Sequence, residues 1–383
     1  MTRRFAELDG LRGVAAFVVI IFHFLCVFAP SSIPNYGGGN RLSDTPLSLA
    51  FNGPFAVSIF FVLSGFVLSN SVAGRGRSFW SLLPIRYLRL AVPALTSCLF
   101  AWILIRLHPS TVGQLRIIVA QQPWHSYTMP SLIEPIKQGL WDAFRWGTVE
   151  LNSSLWTMRI ELIGSFWVYA IYCLADDLWT LPIIAAMATM SILMPNYTAY
   201  LGFALGCGLR EAYARDMLRS RLAIPALVVG CLLGSQMLGF AERVGLHPRS
   251  AEFALGDPNS IFYPLAAAMI VYAVISTKRI GSVFRLRLPS FLGRVSFPLY
   301  LLHWPILFTI SSVIAGEGWT PTGVALPAVF VVFAGASISM AWIAAVYGDE
   351  PLLRMLHFSR LAFKGRCRLS WRYNEDSLRW LHK

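Results

Sequence analysis

The sequence predicts an all-α fold, a polytopic transmembrane helical bundle of about ten spans with both termini cytoplasmic. Three observations predict it. The 383 residues are 56% hydrophobic and only 13% charged, with a mean hydropathy of +0.58, whereas soluble domains carry about 25% charged residues. Apolar stretches recur from end to end, and a span needs about 20 predominantly apolar residues. With a cytoplasmic N-terminus, segments 1–12, 72–89, 210–221, 277–294 and 354–383 fall inside and hold 24 of the 32 Lys and Arg residues. That asymmetry is the positive-inside bias. The formal charge of +13 therefore orients the chain and meets anionic lipid headgroups. It does not require a nucleic-acid partner.

The candidate spans are 11–29, 54–71, 88–106, 155–175, 178–194, 196–210, 222–240, 260–277, 296–314 and 323–347. The first outlasts a signal-peptide h-region and keeps a histidine, so it reads as a retained span. The stretch "LDGLRGVAAFVVIIFHF", Leu8 to Phe24, carries Asp9, Arg12 and His23. Eleven residues separate Arg12 from His23, close to a whole number of turns. Both project from one helix face, about 16 Å apart along the axis. Asp9 is one turn from Arg12 and can pair with it, but it cannot reach His23. Ionisable residues inside a membrane mark pathways or sites. For His23 the alternative is a structural hydrogen bond to a neighbouring helix. Cys26, one turn further on, could accept an acyl group, but a cysteine in an apolar run behaves as a small hydrophobe.

In the second span, "FFVLSGFVLS" places Ser64 and Gly65 centrally, where a glycine permits close helix packing. At the inner end of the third, Arg86 and Arg89 stand at i and i+3 in "IRYLRL". Two guanidiniums on one face suit a phosphate or pyrophosphate, and an ordinary basic collar is the alternative. Segment 107–153 mixes Trp124, Trp141 and Trp146 with polar residues and reads as extramembrane, interfacial and partly helical. In "NSSLWTMRIELIGSF" of the fourth span, Ser154, Glu161 and Ser165 fall near one face. A carboxylate there must be paired, protonated or facing a polar cavity. Arg159, two residues away, lies on a different face. The sixth candidate, "NYTAYLGFALGCGLR", is short enough to be re-entrant. In "SFPLYLLHWPI" of the ninth, Tyr300 and His303 sit one turn apart. Pro298 and Pro305 free backbone carbonyls there, as happens where a helix lines a cavity.

Five of the six cysteines lie in apolar runs, and no spacing of Cys or His suggests a metal. Residues 1–351 read as one transmembrane domain and 352–383 as a basic, interfacial cytoplasmic tail.

Taken together, "ELDGLRGVAAFVVIIFHF", "SIFFVLSGFVLS", "RYLRL", "SSLWTMRIE" and "FPLYLLHWPI" resemble the acyltransferase-3 family of membrane acyltransferases. The motifs occur in the family's order, and "GDEPLLR" resembles the acidic-Pro element that closes the last span. The resemblance covers about residues 5–351. It implies transfer of an acyl group, acetyl foremost, from cytoplasmic acyl-CoA as cosubstrate, with no bound cofactor, onto a hydroxyl of an extracytoplasmic or lipid-linked carbohydrate or small molecule. It implies Arg12 and His23 as the essential pair, with Glu161 beside them among the catalytic residues. Arg86 and Arg89 fall on the acyl-CoA side. Asp9, Ser64, Ser154, Trp156, Tyr300 and His303 complete the substrate-binding set. A neutral imidazole suits removal of the hydroxyl proton near pH 7. Some relatives add an extracytoplasmic hydrolase-like domain. None is read here, so the expectation is that the membrane domain meets the acceptor itself or hands the acyl group to a separate partner. Segments 107–153 and 241–259 could form a lid over the acceptor. The expected location is the bacterial inner membrane. Two other readings stay open: a proton-coupled transporter, which would use the same buried residues, and a structural or regulatory membrane protein with a lapsed active site, against which the intact Arg12 and His23 argue.

Overall fold

The computed structural model describes residues 5–33, 45–108, 129–147, 150–194, 197–235, 261–319 and 321–356. Among them there is no strand. Numbering helices of seven or more residues, the order is α1 (Ala6–Phe28), α2 (Gly53–Val72), α3 (Phe79–Leu107), α4 (Thr157–Leu174), α5 (Asp177–Leu193), α6 (Thr198–Ala214), α7 (Ala223–Gly234), α8 (Phe262–Ser276), α9 (Lys278–Phe284), α10 (Arg287–Gly316) and α11 (Ala325–Ala344). Each apolar stretch of the sequence has its helix, with α8 and α9 sharing one stretch and its inner flank. Among the described residues five helices are long and apolar enough to cross a membrane, against the ten expected, and α8 with α9 makes a sixth if that pair, bent by 106°, counts as one span.

Several boundaries differ from the hydropathy reading. Helix α3 starts at Phe79 rather than 88, and α10 at Arg287 rather than 296. Hydropathy marks only the stretch that lipid must touch, whereas the backbone ladder continues through the polar interface. After α11 the helix passes through a π-helical turn (Ala345–Asp349) and runs unbroken to Leu356. The tail beyond 356, the external segment 241–259 and residues 109–128 with Trp124 lie outside the described residues. Of segment 107–153, residues Ile133–Arg145 are helical and pack on α3, with Trp141 and Trp146 exposed.

The bundle is centred on α2 and α10. Some 67% of the apolar window of each is buried, against 28% for α11, which is therefore peripheral and lipid-facing. Helix α2 packs on α1, α4, α6 and α8, while α10 packs on α1, α3 and α11. Glycines set two of these crossings. A Cβ on Gly13 would overlap the backbone of Leu292 and Gly293, and one on Gly293 would overlap the Asp9 carbonyl. Helices α1 and α10 thus touch backbone to backbone beside Arg12. At Gly65 and Gly206 the α2–α6 crossing is equally close. Small residues at such contacts are the usual means of packing helices in lipid.

Asn152 ties three helices together ahead of α4. Its carbonyl oxygen accepts from the Ser154 N–H, and its amide donates to Ser97 on α3 and to the Leu301 carbonyl on α10. Pro298 and Pro305 lie inside α10, and Thr309 returns a hydroxyl to the Pro305 carbonyl.

Candidate active site

A cavity of about 880 Å³ lies among α1, α2, α3, α4, α10 and the end of α11. That is large for a small-molecule site, where about 300–1,000 Å³ is usual. On α2 its lining runs from Ser71 to Val57, about 21 Å at the helical rise. Its outer end carries Arg12, Arg89, Arg294 and Arg354 beside Asp9, Asp349 and Glu350. Its inner end is apolar, with Val57, Phe60, Met158 and Tyr300.

Arg12 is set by the close α1–α10 crossing. Its Nε donates to Ser296 Oγ at 2.9 Å, one terminal nitrogen donates to the Gly293 carbonyl at 3.2 Å, and Asp9 stands 3.6 Å away. The guanidinium is thereby held flat against α10 at the cavity wall.

Arg86 and Glu161 form a buried pair, 2.6 Å apart. Arg86 Nε also donates to Ser165 Oγ at 2.7 Å, and Ser64 Oγ donates to the Glu161 carboxylate at 2.9 Å. Ser165 completes the ring by donating to the Glu161 carbonyl. Arg86 and Arg89, both expected on the acyl-CoA side, are held differently. Arg86 is engaged by a carboxylate, whereas Arg89 reaches the cavity without a hydrogen bond or ion pair to any described residue. The partner of Glu161 is accordingly not its neighbour Arg159 but a residue of α3.

Past the inner end of the cavity, two histidines meet. His23 Nδ1 and His303 Nε2 are 2.8 Å apart, and His303 Nδ1 lies 3.1 Å from the Leu299 carbonyl. The His303 ring is fully buried, and Trp304 stands edge-on to His23 at 4.7 Å between centroids. Tyr300 forms the wall between dyad and cavity. It packs edge-on against Phe60, lies one turn before His303, and accepts a hydrogen bond from Thr157 at 3.2 Å.

Of the residues singled out by sequence, the structure brings Asp9, Arg12, Ser64, Arg86, Arg89, Glu161 and Tyr300 to one cavity. His23 and His303 adjoin it behind Tyr300. Ser154 and Trp156 are not in its lining: the Ser154 hydroxyl is buried without a partner among the described residues, and the Trp156 side chain is exposed. The sequence reading missed Ser296, Thr157 and Trp304, whose buried indole N–H has no partner among the described residues. A signal existed for Ser296. Gly293, Ser296, Tyr300 and His303 recur at helical spacing on one face of α10.

These features define an integral membrane protein with a substrate-sized cavity reaching into its helices. The chain belongs to the acyltransferase-3 family, whose acyltransferase-domain model matches residues 5–346, and it is an O-acyltransferase. It is 26% identical over 325 residues to the "Exopolysaccharide production protein ExoZ" of Rhizobium meliloti (strain 1021), covering 79% of this chain and 90% of that one. It is 25% identical over 366 residues to the "O-acetyltransferase PaAT-1" of Phomopsis amygdali, covering 79% of this chain and 72% of that one. No solved structure matches.

Proposed function

We propose that the protein transfers an acetyl group from cytoplasmic acetyl-CoA to a hydroxyl of an extracytoplasmic or lipid-linked carbohydrate. The observation that carries this reading is the polarity of the cavity. Its outer end carries arginines beside Asp9, Asp349 and Glu350, and its apolar inner end stops at Tyr300, one turn before His303, which meets His23. Arginine at the outer end suits the phosphates of a nucleotide-bearing donor. The apolar inner end suits a pantetheine arm, which can extend along α1 over the roughly 16 Å from Arg12 to His23. The relatives named for exopolysaccharide production and for O-acetyl transfer support the same class of acceptor and acyl group.

The chemistry follows from the residues. The acceptor hydroxyl oxygen attacks the thioester carbonyl carbon as His23 takes the hydroxyl proton. The carbon–sulfur bond then breaks, the ester remains on the acceptor, and the thiolate leaves with CoA, taking up the proton from the imidazolium. Arg89, which feels the nearby Asp349 but closes no ion pair among the described residues, supplies a cation for the donor's phosphates, and Arg12 holds the donor beside α1. Glu161 serves by fixing Arg86 and the α2–α4 wall. Ten spans, with both termini on the cytoplasmic side of a bacterial inner membrane, complete the proposed arrangement.

The test is transfer in proteoliposomes supplied with acetyl-labelled acetyl-CoA on the cytoplasmic side and a mixed glycan pool on the other. Wild type should consume thioester and label glycan, and His23→Ala, folded, should not. Equal rates for the two would sink the reading.

A further inference from the structure

The contacts of the second histidine fix which nitrogen of the first is a base. Each step uses one bond. The Leu299 carbonyl can only accept, so the His303 Nδ1 facing it at 3.1 Å carries a hydrogen. A neutral imidazole protonated at Nδ1 has its lone pair at Nε2. That lone pair faces His23 Nδ1 at 2.8 Å, so His23 Nδ1 must be the donor. The His23 Nε2 is left with a bare lone pair, at the end of the ring furthest from its own backbone.

We propose that His303 is a positioning residue for acyl transfer. It holds His23 in the Nδ1–H tautomer, turns Nε2 into the base, and supports the imidazolium that forms when the acceptor proton arrives. This rests on the acetyl-transfer reading above. An isolated neutral imidazole prefers the opposite tautomer, with hydrogen on Nε2, which would present no lone pair there. Once His23 is protonated, its Nδ1–H···Nε2 bond to His303 becomes charge-assisted and stronger. The orienting group in a serine-protease triad is a carboxylate; here it is a neutral ring, itself oriented by a backbone carbonyl. That suits a site among membrane-spanning helices. Burying a neutral donor–acceptor chain costs far less than burying a lone carboxylate. The Leu299 carbonyl that begins the chain belongs to α10, the helix with Pro298 and Pro305 on either side of His303.

The test has an arm independent of activity. Protein carrying ¹⁵N-labelled histidine in lipid nanodiscs is compared with His23→Gln to assign the His23 signals. Wild type should show His23 protonated at Nδ1 with an unprotonated Nε2, and His303→Leu should shift hydrogen to Nε2. The reverse assignment in wild type overturns the proposal whatever the activity. In the kinetic arm, His303→Leu should lower kcat by roughly 10- to 100-fold, as loss of a group that orients a functional histidine does elsewhere. KM for acetyl-CoA should stay within about twofold. His303→Gln places an amide oxygen near the lost Nε2 and should recover part of kcat. Wild-type kcat in His303→Leu, or a Gln variant no better than Leu at equal thermal stability, overturns it. If wild type transfers no acetyl group while the ¹⁵N result stands, the function has failed and the tautomer assignment has not.

Discussion

The arginine–glutamate pair between α3 and α4 decides how variants of this site should be read. Arg86 and Glu161 are 8% and 9% exposed, so truncating either strands a charge inside the bundle. Breaking such a pair costs about 3–5 kcal/mol. Glu161→Ala should therefore lower thermal stability sharply as well as activity. Replacing both residues with Met should recover stability without recovering activity. A Glu161→Ala protein that melts like wild type yet is inactive would instead make Glu161 a catalytic group. Arg89 should behave in the opposite way. It is accessible within the cavity and has no ion-pair partner among the described residues. Arg89→Gln should leave stability within about 0.5 kcal/mol and raise KM for acetyl-CoA about tenfold, a 1.4 kcal/mol loss, less so at high salt. A KM unchanged at low salt would remove Arg89 from the donor site. The sequence showed that Glu161 needed a partner, because a carboxylate in an apolar run is too costly alone. It could not show which partner, since Arg86 lies 75 residues away in the chain and local spacing reports only one helix's own faces.

At the scale of elements, apolar length located the helices well because lipid forbids anything else across it. Their inner ends were harder to read, since α3 and α10 continue through polar residues that hydropathy scores as loop. Crossings were hardest, being set by backbones that touch where no side chain intervenes. At Gly293 a Cβ would collide with the Asp9 carbonyl, which is main chain and cannot turn aside. Gly293→Val should part α1 from α10, cost about 1–3 kcal/mol as overpacking does, and pull Arg12 off Ser296. Gly335 on α11 has open space where its Cβ would go. Gly335→Ala should therefore be neutral, or stabilising by up to about 1 kcal/mol through helix propensity. Thermal unfolding in detergent compares the two. Equal loss at both positions would mean the α1–α10 contact is looser than described. This crossing also carries the site, because it fixes the register in which His23 of α1 reaches His303 of α10. That meeting spans 280 residues of sequence. Its two halves were visible separately, as a histidine in span one and a Tyr–His turn in span nine, and only the packed bundle joins them.

For the whole molecule the question is which side of the membrane the cavity opens to, since a cytoplasmic donor can enter from one side only. Its outer end is built from the start of α1, the end of α2 with Asn70 and Ser71, the start of α10 and the end of α11. The basic turn with Arg75 and Arg77 adjoins it, Arg75 bonding the Asn70 carbonyl at 2.7 Å. In the proposed orientation, which rests on the positive-inside bias, that turn is cytoplasmic. Helix α3 then carries the chain across, so Leu107, exposed at its far end, should face outward. In a cysteine-free background, Ser71→Cys should react with a membrane-impermeant maleimide only from the inside, and Leu107→Cys only from the outside. Acetyl-CoA added inside should protect Ser71→Cys, while the same concentration added outside should not. Leu107→Cys should be indifferent to either addition. Labelling of both positions from one side would overturn the ten-span topology. Protection by external acetyl-CoA alone would invert the orientation. Labelling as expected without protection would keep the topology and move the donor out of the cavity, leaving its arginines to some other anion.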